Sequence, residues 1–444
     1  MNVDLTIIGA GPGGYEAAVK AAKAGLQVAI IEKEHLGGTC LNVGCIPTKC
    51  LCHTAEVLET LHGAAADGIT AGETSFDIRT AMARKDEVVG KLVSGIETLL
   101  KTPGITLLRG EARLGKDKTV CVGDEVIASK NILIATGSVT KFLPIEGAHC
   151  DGVVTSTEML QLDAVPRRLC IIGGGVIGLE FASIYAAFGS EVTVVEFCKE
   201  ILPAFDRDMA KRLRTALKKR GITFKVGAAV QAVKPTDGGY SVEYDEKGKT
   251  SATEADLVLM AVGRAANLES LNLDEAGIAY TRRGITVDEH MQTNVPGIYA
   301  VGDINGLMQL AHAATFHSYV ALDHILGTPS ATNLAICPAA VFTQPELAMV
   351  GSTEEQLKDS GTEYEVHKGF YRANGKALSM AAEEGIAKVL TTPDGHLLGA
   401  HILGAHAADL VHETALAMAN GLTLKDVQHC IHAHPSLSEI FLSL

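Results

Sequence analysis

Two stretches of the chain share one pattern of apolar and small residues. Leu5–Ile8 is a mainly apolar run that leads into the glycine-rich turn 9–14, and Leu169–Ile172 leads into the turn 173–178 in the same way. Each copy predicts a strand, a G-x-G-x-x-G turn, a helix, a second strand and a final acidic residue. A constant offset of 164 positions relates Gly9 to Gly173, Gly11 to Gly175, Gly14 to Gly178, Gly25 to Gly189, Val28 to Val192, and Glu32 to Glu196.

These glycine turns predict two sites for dinucleotides. The first glycine permits a tight turn, the second lets the backbone approach a pyrophosphate, and the third lets the helix pack on the strand. The pyrophosphate then lies at the positive end of the helix. Glu32 and Glu196 each lie 18 residues past the last glycine, where a carboxylate can bind ribose hydroxyls. A lone G-x-G-x-x-G is often only a turn, but two copies with all flanking elements indicate a flavin and a nicotinamide.

The residues after the second repeat favour one nicotinamide over the other. Glu196 can accept hydrogen bonds from a free 2′-hydroxyl, and it repels a 2′-phosphate. The stretch 197–202 that follows contains one lysine and no arginine. The sequence therefore predicts NAD rather than NADP.

A close pair of cysteines, Cys40 and Cys45, follows the first repeat. Such a pair is more often redox-active or metal-binding than structural in a chain without a secretory signal, and zinc would need further ligands that are absent nearby. Pro47 suits a first helical turn, so we predict a helix over 45–61. Cys45 would lie at its positive end, which stabilises a thiolate. Lys49, one turn on, could serve a flavin or the thiolate, or be only a solvated helix residue.

Composition narrows the class of protein. The chain has 444 residues, enough for about three domains, and 47% of them are apolar. There are 52 acidic against 38 basic residues, which argues against nucleic acid as the main partner. The start of the chain has no export signal, and we expect a cytoplasmic protein. The apolar stretch 170–189 contains Glu180 and several glycines, so it predicts a buried strand-turn-helix rather than a membrane span.

Four further motifs make the chain resemble the dihydrolipoamide dehydrogenases of the pyridine nucleotide–disulfide oxidoreductase family. They are the cysteine loop 37–49, the strand 131–138 that ends in Ala-Thr-Gly, the second flavin motif 293–303, and the start of an interface domain at 341–351. The resemblance implies an α/β fold with two Rossmann-like dinucleotide-binding domains and a C-terminal α+β dimerisation domain. The expected boundaries are an FAD domain over 1–143, an NAD domain over 144–264, a return to the FAD domain over 265–334, and an interface domain over 335–444.

The resemblance also implies the cofactor sites, and in the FAD site Asp303 would bind the ribityl chain. For FAD the expected residues are Gly9, Gly11, Gly14, Glu32, Thr39, Lys49, Ala112, Thr136, Gly137, Ser138, Asp303, Gln309, Leu310, Ala311 and His312. For NAD they are Gly173, Gly175, Gly178, Glu196, Val230 and Gly263.

A histidine near the C-terminus suits thiol chemistry. Disulfide interchange needs a base near neutral pH, and His434 lies five residues before Glu439, whose carboxylate could fix its tautomer. By resemblance His434 is that base, and it faces Cys40 of the other subunit of a homodimer. Cys40 would exchange with the lipoyl thiol, Cys45 would face the flavin, and Lys49 would pair with Glu180. The expected partner is the lipoyl domain of a 2-oxo acid dehydrogenase acyltransferase or a glycine-cleavage lipoyl carrier.

Several alternatives remain at this point. The histidines and cysteine of 429–434 match no standard zinc motif, so no metal is expected. A glutathione-type reductase would carry arginines after Glu196, a mercuric reductase a C-terminal cysteine pair, and a transhydrogenase no Cys40–Cys45 pair. A binding or structural subunit would not need these cysteines or His434. The chain also departs from the family after 310–312, where 313–317 lacks the usual lysine and acidic residues.

Overall fold

The chain folds into two units, and each contains one copy of the glycine-turn repeat. The computed structural model describes residues 1–72 and 74–444. The first unit comprises Met1–Cys50, Met82–Lys141 and Gly263–Leu334. The second comprises Leu51–Ala81, Phe142–Val262 and Ala335–Leu444. The four domain ranges expected from the sequence remain predictions.

A seven-stranded sheet forms the centre of the first unit. Its parallel part contains the strand of the first repeat, whose last four residues are all buried, as expected for a sheet covered on both faces. The strands lie in the order Ile105–Arg109, Val28–Glu32, Asn2–Ile8, Glu125–Ile134, Thr119–Val122 and Ala112–Leu114, and Ile298–Ala300 also pairs with Glu125–Ile134.

Helices cover this sheet, and two small sheets extend the unit. The helices are Pro12–Lys23, Gly38–Val43, Cys45–Gly63, Ile78–Leu99 and Ala311–Ile325, with a 3-10 turn at Gly302–Asn305. Two of them belong to both units, because the boundary between the units falls at Cys50 within Cys45–Gly63 and at Met82 within Ile78–Leu99. The small sheets pair Ser138–Thr140 with Arg264–Ala266 and Tyr280–Thr281 with Gly284–Ile285. Leu5, Ile7, Ile30 and Leu133 are fully buried in the core between sheet and helices.

The second unit repeats the parallel arrangement. Its five-stranded parallel sheet has the order Thr223–Val226, Glu191–Glu196, Arg168–Ile172, Leu257–Met260 and Val153–Val154. Helices Ser156–Met159, Val176–Ala187 and Arg207–Lys219 accompany it. The apolar stretch 170–189 is therefore a buried strand, a turn and a helix, as predicted.

Two antiparallel sheets complete the second unit. One contains Ala228–Thr236, Gly239–Glu246 and Lys249–Ala255. The other has the order Ala339–Val341, Glu346–Gly351, Leu397–Gly404, Ile386–Thr391 and Glu365–Phe370. The helices around this sheet are Glu354–Ser360, Gly375–Ser379, Ala407–Ala419 and Leu424–His429. The second unit also contains 3-10 turns at Ala64–Asp67, Tyr371–Ala373 and Leu437–Ser443. The two Rossmann-like sheets and this third α+β part confirm the expected fold class.

The helix predicted from Pro47 is present at nearly the predicted bounds. It is expected over 45–61 and spans Cys45–Gly63, with Pro47 in its first turn. Another helix spans Ala407–Ala419, and Gly421 after it has a φ of 63°, in the left-handed region that glycine favours.

A buried charged cluster lies in the second unit. Lys388, on Ile386–Thr391, is completely buried and donates to Asp206 Oδ2 at 2.7 Å and to Glu354 Oε2 at 2.6 Å. Asp206 is equally buried, and its other oxygen caps the helix Arg207–Lys219 through Met209 N. His401 lies in the same electrostatic environment, and burial lowers its pKa to about 4. The buried Lys388 ammonium therefore faces both carboxylates, between the nucleotide-binding sheet and the antiparallel sheet.

Replacing Lys388 by Met is expected to lower the free energy of unfolding by about 3–5 kcal/mol, because Asp206 would stay buried without a cation. Lys358→Met is the matched control. Lys358 donates to the same Glu354 at 2.7 Å, but its side chain is 60% exposed, so its loss should lower the free energy of unfolding much less. Urea unfolding monitored by circular dichroism measures both values. Equal losses in the two variants would contradict the dominant role of burial.

Candidate active site

The first glycine turn is held in shape by a carboxylate. Glu32, at the end of its strand, accepts from Ala10 N at 2.7 Å through Oε2 and from Glu34 N at 2.8 Å through Oε1. Gly9 has a φ of 101°, and a Cβ on Gly14 would lie 1.9 Å from Gly9 O. The first and third glycines are thus required by backbone conformation and by close helix–strand packing, as the sequence predicts.

The second glycine of this turn leaves space instead. A Cβ on Gly11 would meet nothing nearer than Gly38 Cα at 3.9 Å. Gly11 is also the N-cap of the twelve-residue helix Pro12–Lys23, and no side chain caps it. Uncapped backbone amides at the positive end of a helix, with room beside them, fit a pyrophosphate.

The second glycine turn has the same construction. Glu196 accepts from Gly174 N at 2.5 Å and from Cys198 N at 2.6 Å. A Cβ on Gly178 would lie 2.1 Å from Gly173 O, whereas a Cβ on Gly175 would meet nothing within 4 Å. Gly175 is the N-cap of Val176–Ala187, again without a side-chain cap. Both turns therefore fit a dinucleotide.

Glycines also bring the cysteine loop against the first turn. Gly37 N donates to Ala10 O at 2.9 Å, and a Cβ on Gly38 would lie 2.8 Å from Gly11 Cα. Cys40 lies on the short helix Gly38–Val43, and Cys45 is the first residue of the next helix. The two segments approach closely at Gly44, where a Cβ would lie 2.8 Å from Thr39 O. The sequence therefore folds its cysteine pair directly beside a nucleotide-binding turn.

The two cysteines differ in acidity and exposure. Cys40 is half-buried and Cys45 is exposed. A hydrogen bond with the Cys45 sulfur, followed by burial, raises the pKa of the Cys40 thiol, and the ammonium of Lys49 acts in the opposite direction. A first negative charge on the pair therefore belongs on Cys45. Nearby Tyr15 remains a neutral phenol, since burial, followed by Glu16 and Cys40, raises its pKa to about 12.

A network of three polar side chains lies in the same unit. Arg264 donates to Ser138 Oγ at 2.7 Å and to Ser138 O at 2.6 Å, and Ser138 Oγ donates to Asp303 Oδ2 at 2.5 Å. Burial lowers the pKa of the Arg264 guanidinium, while Asp303 and Cys45 raise it. The structure thus brings together the predicted residues Ser138 and Asp303, and it adds a half-buried cation, Arg264, that interacts electrostatically with both Asp303 and Cys45.

A second helix begins among the residues expected to bind the flavin. Ala311–Ile325 has Leu310 as its N-cap, with no side-chain cap. It packs closely on the first helix, since a Cβ on Gly13 would lie 3.0 Å from Ala314 O. His317, in the segment that departs from the family, accepts from Gly302 N at 3.3 Å through Nδ1, and burial lowers its pKa. That side chain is therefore a neutral structural acceptor.

His434 and Glu439 lie together in the second unit. His434 Nδ1 is 2.9 Å from Glu439 Oε1, and Glu439 Oε2 accepts from Ser436 N at 2.8 Å. The Ser436 amide and then His434 lower the pKa of Glu439. The His434 side chain is 80% exposed. A carboxylate that accepts a hydrogen bond at Nδ1 directs the lone pair of a neutral imidazole to Nε2, which suits a general base.

The remaining predicted residues occupy several elements. Glu180 accepts from Phe342 N at 3.0 Å; it belongs to the second unit and Lys49 to the first, so their expected pairing stays a prediction. Thr136 Oγ1 donates to Asn267 O at 3.3 Å, and Gln309 Nε2 donates to Arg264 O at 3.4 Å. Two of these residues lie on helices, Thr39 on Gly38–Val43 and His312 on Ala311–Ile325. Two lie on strands, Ala112 at the start of Ala112–Leu114 and Val230 on Ala228–Thr236. Gly137 and Gly263 adopt positive φ values of 68° and 103°.

Comparison with known families decides the kind of protein. Residues 3–318 match the family model of the pyridine nucleotide-disulphide oxidoreductases, and residues 337–444 match the dimerisation domain of the same family. The chain belongs to the pyridine nucleotide–disulfide oxidoreductase family.

Similar proteins cover the whole of this oxidoreductase. It is 40% identical to dihydrolipoyl dehydrogenase of Bacillus subtilis over 99% of this chain and 95% of that protein. It is 38% identical to the mitochondrial dihydrolipoyl dehydrogenase of Pisum sativum over 98% and 89%. Among solved structures, the HOCl-induced flavoprotein disulfide reductase RclA from Escherichia coli matches with a TM-score of 0.88 at 32% identity, with 99% of both chains covered.

The described residues of the oxidoreductase contain neither a membrane-spanning helix nor a cluster of metal ligands. In the described ranges 1–72 and 74–444, no helix combines the length and apolar character needed to cross a membrane. In the same part of the chain, no group of three or more His, Cys, Asp or Glu side chains is arranged to hold a metal ion.

Some polar residues of the oxidoreductase site were missed by sequence reasoning. Arg264 directly follows Gly263, which the sequence predicts as a site residue. That adjacency is the one sequence signal that could have identified Arg264. Tyr15 lies inside the first glycine repeat, and its position near the cysteine loop depends on the fold. His432 was read only as part of a possible metal cluster. The structure instead places His432 Nε2 2.7 Å from Glu413 Oε1.

Replacing Gly175 by Ala is expected to weaken binding of the nicotinamide nucleotide without unfolding the oxidoreductase. The added methyl meets no protein atom within 4 Å, but it would occupy the position where the second glycine of the motif is expected to admit the pyrophosphate. The KM for NAD should rise roughly 10–200-fold, the range for one misplaced methyl group. The free energy of unfolding should fall by no more than about 1 kcal/mol, the value of an N-cap change. Steady-state kinetics and urea unfolding measure these quantities.

Gly178→Ala is the matched control in the same turn. Its methyl would lie 2.1 Å from Gly173 O, so this variant should lose stability as well as nucleotide binding. An unchanged KM for NAD in Gly175→Ala, or unchanged stability in Gly178→Ala, would contradict the assigned roles of the two glycines.

Proposed function

We propose that the chain oxidises dihydrolipoamide to lipoamide through a Cys40–Cys45 disulfide and reduces NAD+ to NADH. Its best support is the cysteine pair folded against the first glycine turn, in a chain 40% identical over nearly its whole length to a dihydrolipoyl dehydrogenase. The overall reaction is balanced, since two electrons and one proton enter NADH and the second proton goes to solvent.

The thiol step uses residues of this chain. His434 Nε2 takes a proton from one lipoyl thiol, and the resulting thiolate attacks Cys40 Sγ. The Cys40–Cys45 bond breaks, and Cys45 leaves as a thiolate. The second lipoyl thiol then attacks the lipoyl sulfur of the mixed disulfide. Cys40 is released and takes the proton held by His434, and His434 accepts the proton of the second thiol. The raised pKa of Cys40 supports this division of roles, because Cys45 is the better leaving thiolate.

FAD, when bound, supplies the two-electron relay between the dithiol and the nicotinamide. Glu32 shapes the turn around Gly11, which would hold the flavin pyrophosphate, and Asp303, oriented by Ser138, would hold the ribityl chain. The other members of the proposed FAD site are Gly9, Gly14, Thr39, Lys49, Ala112, Thr136, Gly137, Gln309, Leu310, Ala311 and His312. Arg264 adds a positive charge that stabilises the thiolate of Cys45.

The second nucleotide is proposed to be NAD. Glu196 is almost fully buried and already accepts two backbone hydrogen bonds, so its side chain is fixed next to the turn. A glutamate at this position repels a ribose 2′-phosphate, while a 2′-hydroxyl could donate to it. Gly173, Gly175, Gly178, Val230 and Gly263 complete the proposed site.

The partners follow from the reaction. The dimerisation domain indicates a homodimer, in which His434 of one subunit would face Cys40 of the other. Lys49 and Glu180 are proposed as an ion pair near the flavin. The lipoyl group would arrive on a lipoyl domain of a 2-oxo acid dehydrogenase acyltransferase or a glycine-cleavage carrier. A cytoplasmic location is part of the proposal, supported by the absence of disulfides among the other eight cysteines within the described residues.

A steady-state assay tests this function. Purified protein is given dihydrolipoamide or glutathione as the thiol and NAD+ or NADP+ as the acceptor, and absorbance of the reduced nicotinamide is followed. Dihydrolipoamide with NAD+ should be the fastest combination. Faster turnover with glutathione or with NADP+ would instead identify a related disulfide reductase and reject the proposal.

A further inference from the structure

A second histidine–carboxylate pair lies beside the proposed base. His432 Nε2 is 2.7 Å from Glu413 Oε1, and His432 Nδ1 is 2.9 Å from Cys430 O. The His432 side chain is 5% exposed, whereas that of His434 is 80% exposed. Glu413 lies on the helix Ala407–Ala419, and Cys430 caps the end of Leu424–His429. The buried ring therefore ties the segment 430–434 to two helices.

The two contacts determine how many protons the pair carries. A carbonyl oxygen only accepts, so His432 Nδ1 must donate to Cys430 O. A hydrogen bond between Nε2 and Glu413 then requires a second proton, on either the ring or the carboxyl group. The 2.7 Å contact has the length of a bond from a charged donor to a carboxylate, which places the proton on the ring. The pair is an imidazolium and a carboxylate joined by a charge-assisted hydrogen bond.

This charge acts on the neighbouring pair. His432 is two residues from His434, and its positive charge contributes to the lowered pKa of Glu439, after Ser436 and His434 themselves. The charged groups that face the segment are Glu413, Glu439 and, around the cavity lined by 435–438, Lys376, His406 and Asp409.

We propose that His432 and Glu413 are positioning residues for His434: they fix the segment that carries the base and hold a cation beside it. The cation disfavours protonation of His434 and keeps more of it in the neutral form that can accept a thiol proton. Glu439 favours the opposite, so the two pairs together set the basicity of His434. This inference rests on the proposed role of His434.

The variants His432→Gln and Glu413→Gln test the proposal. Glu413→Gln keeps the size of the side chain and removes the charge that holds the second proton on His432. His432→Gln removes the cation and leaves Glu413 charged. His412→Gln is the matched control, since His412 is exposed on the same helix and contacts only Asp409 O among the residues described, at 3.4 Å.

Three readouts separate positioning from simple structural damage. Rapid mixing with dihydrolipoamide should be slower in His432→Gln, by up to about 10²-fold, as expected for a base displaced on the order of 1 Å. The rate of reaction with dihydrolipoamide should rise with pH, and this rise should occur at higher pH in both variants than in the wild type. The displacement should be larger in His432→Gln than in Glu413→Gln. Reduction by NADH, which does not need His434, should stay within about twofold of wild type. Histidine-selective ¹⁵N NMR should show His432 doubly protonated near neutral pH, and singly protonated in Glu413→Gln.

Several results would overturn the proposal. A pH profile in His432→Gln that matches His412→Gln would remove the cation from the account, and so would a singly protonated His432 in the wild type. Equal slowing of the dihydrolipoamide and NADH reactions would indicate a structural role only. His434→Gln distinguishes the two levels: if it reacts normally with dihydrolipoamide, the proposed base is wrong. If it is slow while His432→Gln is normal, only the positioning role is wrong.

Discussion

Replacing Cys45 by Ser is expected to reduce turnover of dihydrolipoamide by about 10³-fold or more, the scale of losses when a reacting nucleophile is removed. A serine hydroxyl cannot form a disulfide with Cys40, so no acceptor for the electrons of the lipoyl dithiol remains. The variant should keep its FAD, because the first glycine turn, Glu32 and Asp303 are unchanged. It should lose the long-wavelength absorbance of a thiolate beside the flavin. Steady-state kinetics and visible absorption spectra measure these effects.

Two further cysteine variants make this test specific. Cys40→Ser should also lose turnover, but it should keep the long-wavelength band, since Cys45 can still ionise beside Arg264. Cys121→Ser is the control, because Cys121 is half-buried on Thr119–Val122 in the same unit and should change neither property. Surviving turnover in Cys45→Ser, or a band that disappears in Cys40→Ser instead, would reject the roles assigned to the two sulfurs.

Replacing His434 by Gln is expected to slow the reaction with dihydrolipoamide by roughly 10²–10⁴-fold, the usual contribution of a general base. Glutamine is similar in size and can still hydrogen-bond Glu439, but it cannot accept the thiol proton. The remaining rate should depend on substrate that is already ionised. It should therefore rise about tenfold per pH unit up to the pKa of a thiol, near 8.5. Rapid mixing under anaerobic conditions at several pH values measures this dependence.

Reduction by NADH serves as the internal control for this variant. That reaction uses the second glycine turn and does not need the base, so its rate should be unchanged. Glu439→Gln should give a smaller loss than His434→Gln, because the base is retained and only its tautomer and charge are less well supported. A normal rate with dihydrolipoamide in His434→Gln would exclude this histidine from the thiol step.

Backbone requirements explain why much of the fold could be predicted from the sequence. Gly9 and Gly173 adopt positive φ, and Gly14 and Gly178 leave no space for a Cβ. Both turns therefore require glycine at the same spacing, which can be recognised in the sequence. The helix signal at Pro47 is equally local, and it predicts the bounds of Cys45–Gly63 within about two residues.

The polar networks could not be predicted in this way, because they join residues far apart in the sequence. Arg264 and Ser138 are 126 positions apart, and Lys388 and Asp206 are 182 apart. No periodicity relates such residues, and a single lysine or arginine on a strand resembles a surface residue until the fold buries it. The His432–Glu413 pair could not be predicted for the same reason, since the two residues are 19 positions apart and parts of two helices lie between them. The site was therefore predicted best where backbone conformation restricts the sequence.

The most direct test of the central claim is anaerobic mixing of the purified flavoprotein with dihydrolipoamide in the absence of nucleotide. The account predicts rapid appearance of the long-wavelength band of the Cys45 thiolate, followed by its loss when NAD+, but not NADP+, is added and NADH is formed. Glutathione at the same thiol concentration should give no comparable band. Rapid reduction by glutathione, or discharge by NADP+ in preference to NAD+, would contradict the account.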